Sequence, residues 1–161
     1  MNDSDRLAAL ERRLSHVEDQ LAIGRLLASY GPLVDSGDAD ATAALWAEDG
    51  EYDVPGLHMR SREAVRSMVQ SPAHRRLIEG GSAHFIGPAQ IELDGDRAVA
   101  VCESILVLRD QDSYRILLSG SHHITLVRVD GEWKIRHRIT RELNGDARAR
   151  ELLRIGAVTG D

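Results

Sequence analysis

The sequence predicts an α+β fold, with N-terminal helices packed in a strongly curved antiparallel or mixed sheet. Three observations carry this expectation. Apolar residues recur at three- and four-residue spacing through the first part of the chain. From His84 onward the pattern changes to long runs rich in β-branched and aliphatic residues, and these runs are joined by hairpin signals such as Asp130-Gly131. Helices first and hairpin-linked strands afterwards exclude an alternating parallel architecture. Long strands with a bend at mid-length would curl the sheet into a cone open at one end, which is a natural place for an apolar pocket.

Residues 4–34 read as helix, in two pieces. Leu7, Leu10, Leu14, Val17 and Leu21 form one stripe, and Ile23, Leu26, Leu27 and Tyr30 carry the pattern on, with Gly31-Pro32 permitting a bend or widened turn. The first part is charged outside its leucine seam and reads as a packing arm for a second subunit or a frayed end. Asp38 is a plausible cap for a short helix over residues 39–47 that includes Leu45 and Trp46. Residues 51–54 form a short strand, Pro55-Gly56 turns the chain, and Ser61 opens a helix over 62–70 with Ala64, Val65 and Met68 inward. Pro72 and Gly80-Gly81 bracket a segment expected to be partly irregular. Strands follow over 84–93, 98–108, 114–129 and 132–140, the third bent or bulged at Ser119-Gly120-Ser121, and the last with Trp133 and Ile135 on one face. Residues 146–155 read as a terminal helix.

At 161 residues, the chain is expected to form one domain, with a helical arm over 1–14, a core over 15–142 and a tail or helix over 143–161. Net charge is −6 with acids and bases interspersed, so no basic face suited to nucleic acid is expected. No apolar run reaches the ~18 residues of a membrane span, and the polar, acidic start is not a secretory signal. Cys102 is the single cysteine, which excludes an internal disulfide and fits a reducing cytoplasm. Its place in an apolar run makes it a core residue.

No metal-ligand spacing, phosphate loop, dinucleotide fingerprint or nucleophile elbow occurs. What remains is acid–base chemistry by carboxylate, imidazole and phenol, with neither metal nor cofactor. Asp35 reads as a cap, a solvated group or an ionisable side chain delivered to a pocket. His84, opening a strand, reads as structural or catalytic. Asp35 lies ~140° around a regular helix from Tyr30, so the two share a pocket only if the helix bends. His122 and His123 point to opposite faces of a regular strand, so at most one enters the pocket.

Tyr30…Asp35-Ser-Gly-Asp38, Leu45-Trp46-Ala47-Glu48-Asp49-Gly50, Ala83-His84 and the hairpin from Val127 to Ile135 resemble the SnoaL-like branch of the nuclear transport factor-like superfamily. The resemblance covers residues 15–142. It implies a cystatin-like roll with an internal pocket. Similar enzymes include scytalone dehydratase, hexachlorocyclohexane dehydrochlorinase and bile-acid dehydratase, in which an aspartate at the end of the long helix pairs with a strand-opening histidine. By that resemblance Asp35 and His84 are the expected catalytic pair. Tyr30, Trp46, Tyr52, Glu103, His122 and Arg138 are the expected substrate-binding residues. The dehydrochlorinase has lysine in place of Tyr30, so halide loss is not implied. The implied activity is that of a cofactor-independent dehydratase, isomerase or cyclase acting on a hydrophobic cyclic or polyketide-like molecule. A non-catalytic small-molecule-binding or accessory protein is the alternative on the same fold. The implied assembly is a homodimer or homotrimer, in contact through outward residues of 105–108 and 124–129.

Overall fold

The computed structural model describes residues 2–155 of the chain. Helix α1 (Asp3–Ser36) is continuous over 34 residues and opens with a reciprocal cap between Asn2 and Asp5. The expected division into two pieces is absent, and Pro32 does not interrupt the helix. Proline removes only the bond to the carbonyl of Ala28, a residue on the solvent side, while Ile23, Leu27, Tyr30 and Val34 hold the other face in the core.

Helix α2 (Ala39–Ala43), capped by Asp38, is shorter than expected. Trp46 belongs to strand β1 (Trp46–Val54), not to that helix, and its side chain is wholly buried there. Strand β2 (Leu57–Met59) follows the turn at Pro55-Gly56. Helix α3 (Arg62–Gln70), capped by Ser61, sends Val65 and Val69 fully inward, with Ala64 and Met68 at the margin. The segment expected to be irregular is helix α4 (Pro72–Glu79), where Ser71 caps and Pro72 occupies the first turn.

The region expected as one strand over 84–93 is two strands, β3 (Ser82–Ile86) and β4 (Gln90–Asp94), both paired antiparallel to β5 (Arg97–Asp110). Pro88 has no N–H to give the ladder, which explains the interruption. Strands β6 (Ser113–Val129) and β7 (Glu132–Glu142) complete a seven-stranded sheet ordered β2-β1-β7-β6-β5-β3, with β4 beside β5. The β1–β7 pair is parallel and the rest are antiparallel, so the sheet is mixed. The β5–β6 and β6–β7 bulges fall where Leu106 and Thr125 end their registers, leaving Leu117 and Arg136 unpaired, and not at Gly120, and the β1–β7 register shifts between Trp46 and Glu51. Gly120 sits instead at a tight approach, where an added Cβ would press on Leu118, Ser104 and Thr140. The C-terminal helix α5 (Ala147–Glu151) is shorter than the expected 146–155, and the rest of the expected tail, 156–161, lies outside the described residues. No helix among the described residues is long and apolar enough to cross a membrane.

The curved sheet wraps one apolar cluster that includes Ile23, Leu27, Trp46, Ala100, Ile124, Leu126, Trp133 and Ile135. Trp133 and Ile135 share a face, as their spacing requires. Two contacts seat α1 in this cluster. Asp19 accepts hydrogen bonds from Trp133 Nε1 at 2.9 Å and from Arg128 Nη2 at 2.8 Å. Fifteen ångströms or more further along, by the ~1.5 Å rise per residue, Gly31 lies directly beneath strand β3. A Cβ there would collide with the carbonyl oxygen of His84.

Gly31→Ala is therefore expected to lower stability by ~1–3 kcal/mol through overpacking against backbone. Gly24→Ala, where an added Cβ meets nothing, should be neutral or stabilising by up to ~1 kcal/mol. Urea unfolding of the two variants checks the contrast, and equal midpoints would remove Gly31 as the seat of the helix.

Candidate active site

The site is assembled where the end of α1 meets β3. Viewed down α1, Gly31 lies between Tyr30 and Asp35, and β3 crosses over it. His84 therefore receives Tyr30 from one side and Asp35 from the other, without any bend in the helix. Asp35 Oδ1 lies 2.6 Å from His84 Nδ1, and Oδ2 accepts the His84 backbone N–H at 2.6 Å. Ser82 Oγ donates to Oδ1 at 3.4 Å. A carboxylate can only accept, so Nδ1 carries the proton in the neutral ring and Nε2 is left with a lone pair. Asp35 does not cap α2; Asp38 does.

Burial pushes His84 below the ordinary histidine value of 6.5; the hydrogen bond and charge of Asp35 offset this only in part, and His74 and Arg138 add to the lowering. The ring is thus neutral at physiological pH. His74, on α4, donates from Nε2 to the carbonyl of Val34 at 2.9 Å and stands 6.0 Å from the His84 ring.

His84 lines a cavity of about 210 Å³ with Tyr30, Tyr52, His122, Arg138 and Thr140, closed by Val54, Pro55, Phe85, Ile86, Ile105, Leu106 and Leu118. A roomier hollow of about 660 Å³ near Glu92, Arg97 and Arg136 is more open, and neither histidine nor tyrosine lines it. The smaller cavity is where the titratable groups converge.

Arg138 is the unusual member. It is 1% exposed, forms no ion pair among the described residues, and stacks with its guanidinium carbon 4.2 Å from the Tyr30 ring centre and 4.7 Å from that of Tyr52. Its Nε donates to His122 Nδ1 at 3.3 Å, while Nη1 is buried with no hydrogen-bond partner among the described residues. A buried charge without a carboxylate is costly, and cation–π contacts offset part of that cost. His122 Nδ1 also accepts from Thr140 Oγ1 at 2.8 Å, so its proton is on Nε2, facing Ser104 Oγ at 2.7 Å. Burial, with Arg138 beside it, holds His122 well below the usual histidine range. Burial and the neighbouring Tyr52 raise Tyr30 well above the ordinary phenol value, keeping its hydroxyl a proton donor.

Of the expected site residues, Asp35, His84, Tyr30, Tyr52, His122 and Arg138 come together. His122, not His123, faces the cavity. Trp46 does not line it but packs beneath, 5.9 Å from Tyr30 and 5.6 Å from Tyr52 between ring centres. Glu103 is a correction. It is exposed, because strand alternation turns it away when Cys102 and Ser104 point inward. Ser82, His74, Ser104 and Thr140 were not expected. The Ser71-Pro72 helix start could have located His74, whereas the other three carry no sequence signal. On the opposite face of the sheet edge, Glu51, His58 and His137 place donor atoms within 4.8 Å of one another. His58 Nε2 and Glu51 Oε2 are 2.7 Å apart, and the nearby Arg136 charge opposes a cation there.

The sequence matches the SnoaL-like domain over residues 15–139. No curated protein matches it. Among solved structures, an NTF2-like protein with a cystatin-like fold from Novosphingobium aromaticivorans is 38% identical, covering 96% of this chain and 99% of that one, with a TM-score of 0.89. A scytalone dehydratase-like protein from the same organism is 24% identical over 79% of this chain and 85% of that one, TM-score 0.66. ActVI-ORFA from Streptomyces coelicolor is 20% identical over 76% and 96%, TM-score 0.66. The last two resemble this chain in fold alone.

The electrostatics give a direct expectation. Asp35→Asn removes the influence that raises His84, so the ring should titrate lower still than in the parent, as read by NMR of its ring protons. Above pH 6.5 His84 is neutral whether folded or not. As pH falls below that, the unfolded chain takes up the proton first, so this residue's contribution to stability should decline until the folded ring titrates.

Proposed function

The chain belongs to the SnoaL-like domain family, and from that premise we propose a cofactor-independent lyase or isomerase that removes a proton from carbon beside a carbonyl. The observation that carries this reading is the unpaired Nη1 of buried Arg138, in the same apolar cavity as a neutral imidazole fixed by Asp35. An arginine with a spare donor beside a largely apolar cavity suits an oxygen on which negative charge develops.

In this scheme His84 Nε2 takes the α-proton as general base. The electron pair left on carbon moves onto the carbonyl oxygen, which Arg138 and the Tyr30 or Tyr52 hydroxyl stabilise. Asp35 stabilises the imidazolium so formed and fixes the ring's orientation. The imidazolium then returns its proton to a β-hydroxyl, so that C–O cleavage releases water, or to a second carbon, giving an isomer. In both branches His84 ends neutral. A dry cavity of ~150 Å³ holds benzene, so one of about 210 Å³ suits a molecule of one or two rings. Buried Cys102 takes no part and is compatible with a cytoplasmic setting. A homo-oligomer, dimer or trimer, is the proposed assembly.

With an α-hydrogen-bearing hydroxy-ketone or enone substrate, Asp35→Asn and His84→Ala should each reduce kcat by ~10²–10⁴-fold. Arg138→Met should cost ~10²–10³-fold. The rate should fall as pH drops through a value below 6.5, because the neutral ring is the active form. If such ligands bind with full affinity but none turns over, or if both dyad variants keep parent activity, the protein is a binding domain on this fold.

A further inference from the structure

Helix α1 has two apolar faces, and its own domain uses one. Ile23, Leu27, Tyr30 and Val34 are buried against the sheet, and the line continues back to Asp19. Leu21 stands two residues before Ile23, which at ~100° per residue places it ~160° around the helix. Leu7, Leu10, Leu14 and Val17 share that outward side. All five are 52–59% exposed. Among the described residues nothing covers them.

Their spacing is three, four, three, four, a heptad repeat with Leu7, Leu14 and Leu21 at a and Leu10 and Val17 at d. A solvated amphipathic helix would carry polar residues on this side. The flanking charges follow the same frame. Arg6 and Arg13 fall at g, while Glu11 and Glu18 fall at e, and none of the four makes an ion pair within the chain among the described residues.

We propose that this seam docks a second copy of the chain, forming a parallel, in-register, two-stranded coiled coil along residues 7–21. In a parallel pair each g residue faces the e residue five further along the partner. Arg6 would then meet Glu11 of the partner subunit, and Arg13 would meet Glu18 of the partner subunit. An antiparallel pair sets g beside g and e beside e, bringing arginine to arginine and glutamate to glutamate, so charge selects the parallel form. The geometry also fits. With the seam opposite the core face, the two domains hang on opposite sides of the helix pair. Past Leu21 the stripe continues in Gly24 and Ala28, where a side chain at Gly24 would meet nothing, so the helices can stay close beside the domains. The seam is only ~21 Å long, short for an isolated coiled coil. Here the helix is already formed, because Asp19 and Gly31 fix its C-terminal half, so nucleation does not oppose pairing. The proposal does not depend on the chemistry of the cavity, which lies at the other end of α1.

Size-exclusion chromatography with light scattering on the full chain should give twice the 17.8 kDa chain mass. Leu14→Glu combined with Val17→Glu should halve it while leaving the circular dichroism of the folded chain in place. Leu7→Cys and Leu21→Cys, made separately, should each cross-link to a dimer on mild oxidation, since parallel a positions meet their own copies, whereas buried Cys102 should not. Glu11→Lys with Glu18→Lys should weaken the dimer, and mixing it with an Arg6→Glu, Arg13→Glu chain should restore it. A monomeric parent, a trimer, a dimer unmoved by the glutamates at 14 and 17, or failure of the cysteine at 7 or at 21 to self-link would each overturn the proposal.

Discussion

The absence of a side chain at Gly31 is the constraint on which the site depends. Backbone of β3 lies against backbone of α1 there, with no room for one carbon between the glycine and the His84 carbonyl. Any other residue would lift the strand away from the helix, and Asp35 would lose its 2.6 Å contacts to the imidazole and to the His84 N–H together. Helix geometry alone cannot bring Tyr30 and Asp35 to a common target. A strand crossing the gap between them can, and only glycine leaves that gap. Asp19, caught by Trp133 and Arg128 near the helix middle, fixes where along the sheet the crossing occurs.

A second constraint is electrical. One buried guanidinium stands in a cavity with two histidines and two phenols. Burial disfavours charge on His122 and His84, and Arg138 disfavours it further. The guanidinium in turn has its face covered by two aromatic rings and one nitrogen satisfied by a neutral imidazole, and no carboxylate among the described residues pairs with it. The cavity is therefore polarised, with a positive donor at one wall and the Asp35-supported imidazole at another. The proposed reaction would use that polarity, since it places charge on a ligand oxygen.

Much of this was legible in the sequence. Periodicity marked α1, α3 and the long strands, and the Asp130-Gly131 hairpin fixed the β6–β7 pairing. The departures have local causes. Leu45-Trp46 continues an apolar spacing that suggests helix, yet α2 stops at Ala43 and the parallel pairing with Ile135 takes the tryptophan into β1. Gly31-Pro32 permits a bend when the helix is considered alone, whereas tertiary packing keeps α1 in one piece. Gly120 suggests a bulge, but the bulge belongs to Leu117, since a glycine in a strand marks close approach as readily as a kink. For the site, the family resemblance carried Asp35, His84, Tyr30, Tyr52 and Arg138. Strand parity alone decides that Glu103 points out and His122 points in, and parity requires the register, which no single sequence supplies. Ser82 and Thr140 act through neighbours distant in the chain, so nothing near them in sequence announces them.

In the proposed reaction, the position of the pair at the end of α1 would answer a difficulty of base catalysis by histidine. The ring must rest neutral to accept a proton, yet must be stabilised once charged. Burial alone secures the first condition and defeats the second. The final turn of a helix carries about half a negative charge on its unpaired carbonyls, and His84 lies beside that turn. Val34's carbonyl is already occupied by His74, and the carboxylate of Asp35 sits at the same end, where the helix field disfavours it unless donors surround it. The His84 N–H, the ring N–H and Ser82 are those donors. The aspartate is thus held by the same residue it is proposed to serve, and proton arrival at Nε2 would turn the bond between a carboxylate and a neutral ring into an ion pair. A carboxylate placed mid-helix would lack those donors, which is a physical reason for the acid to stand where the helix runs out.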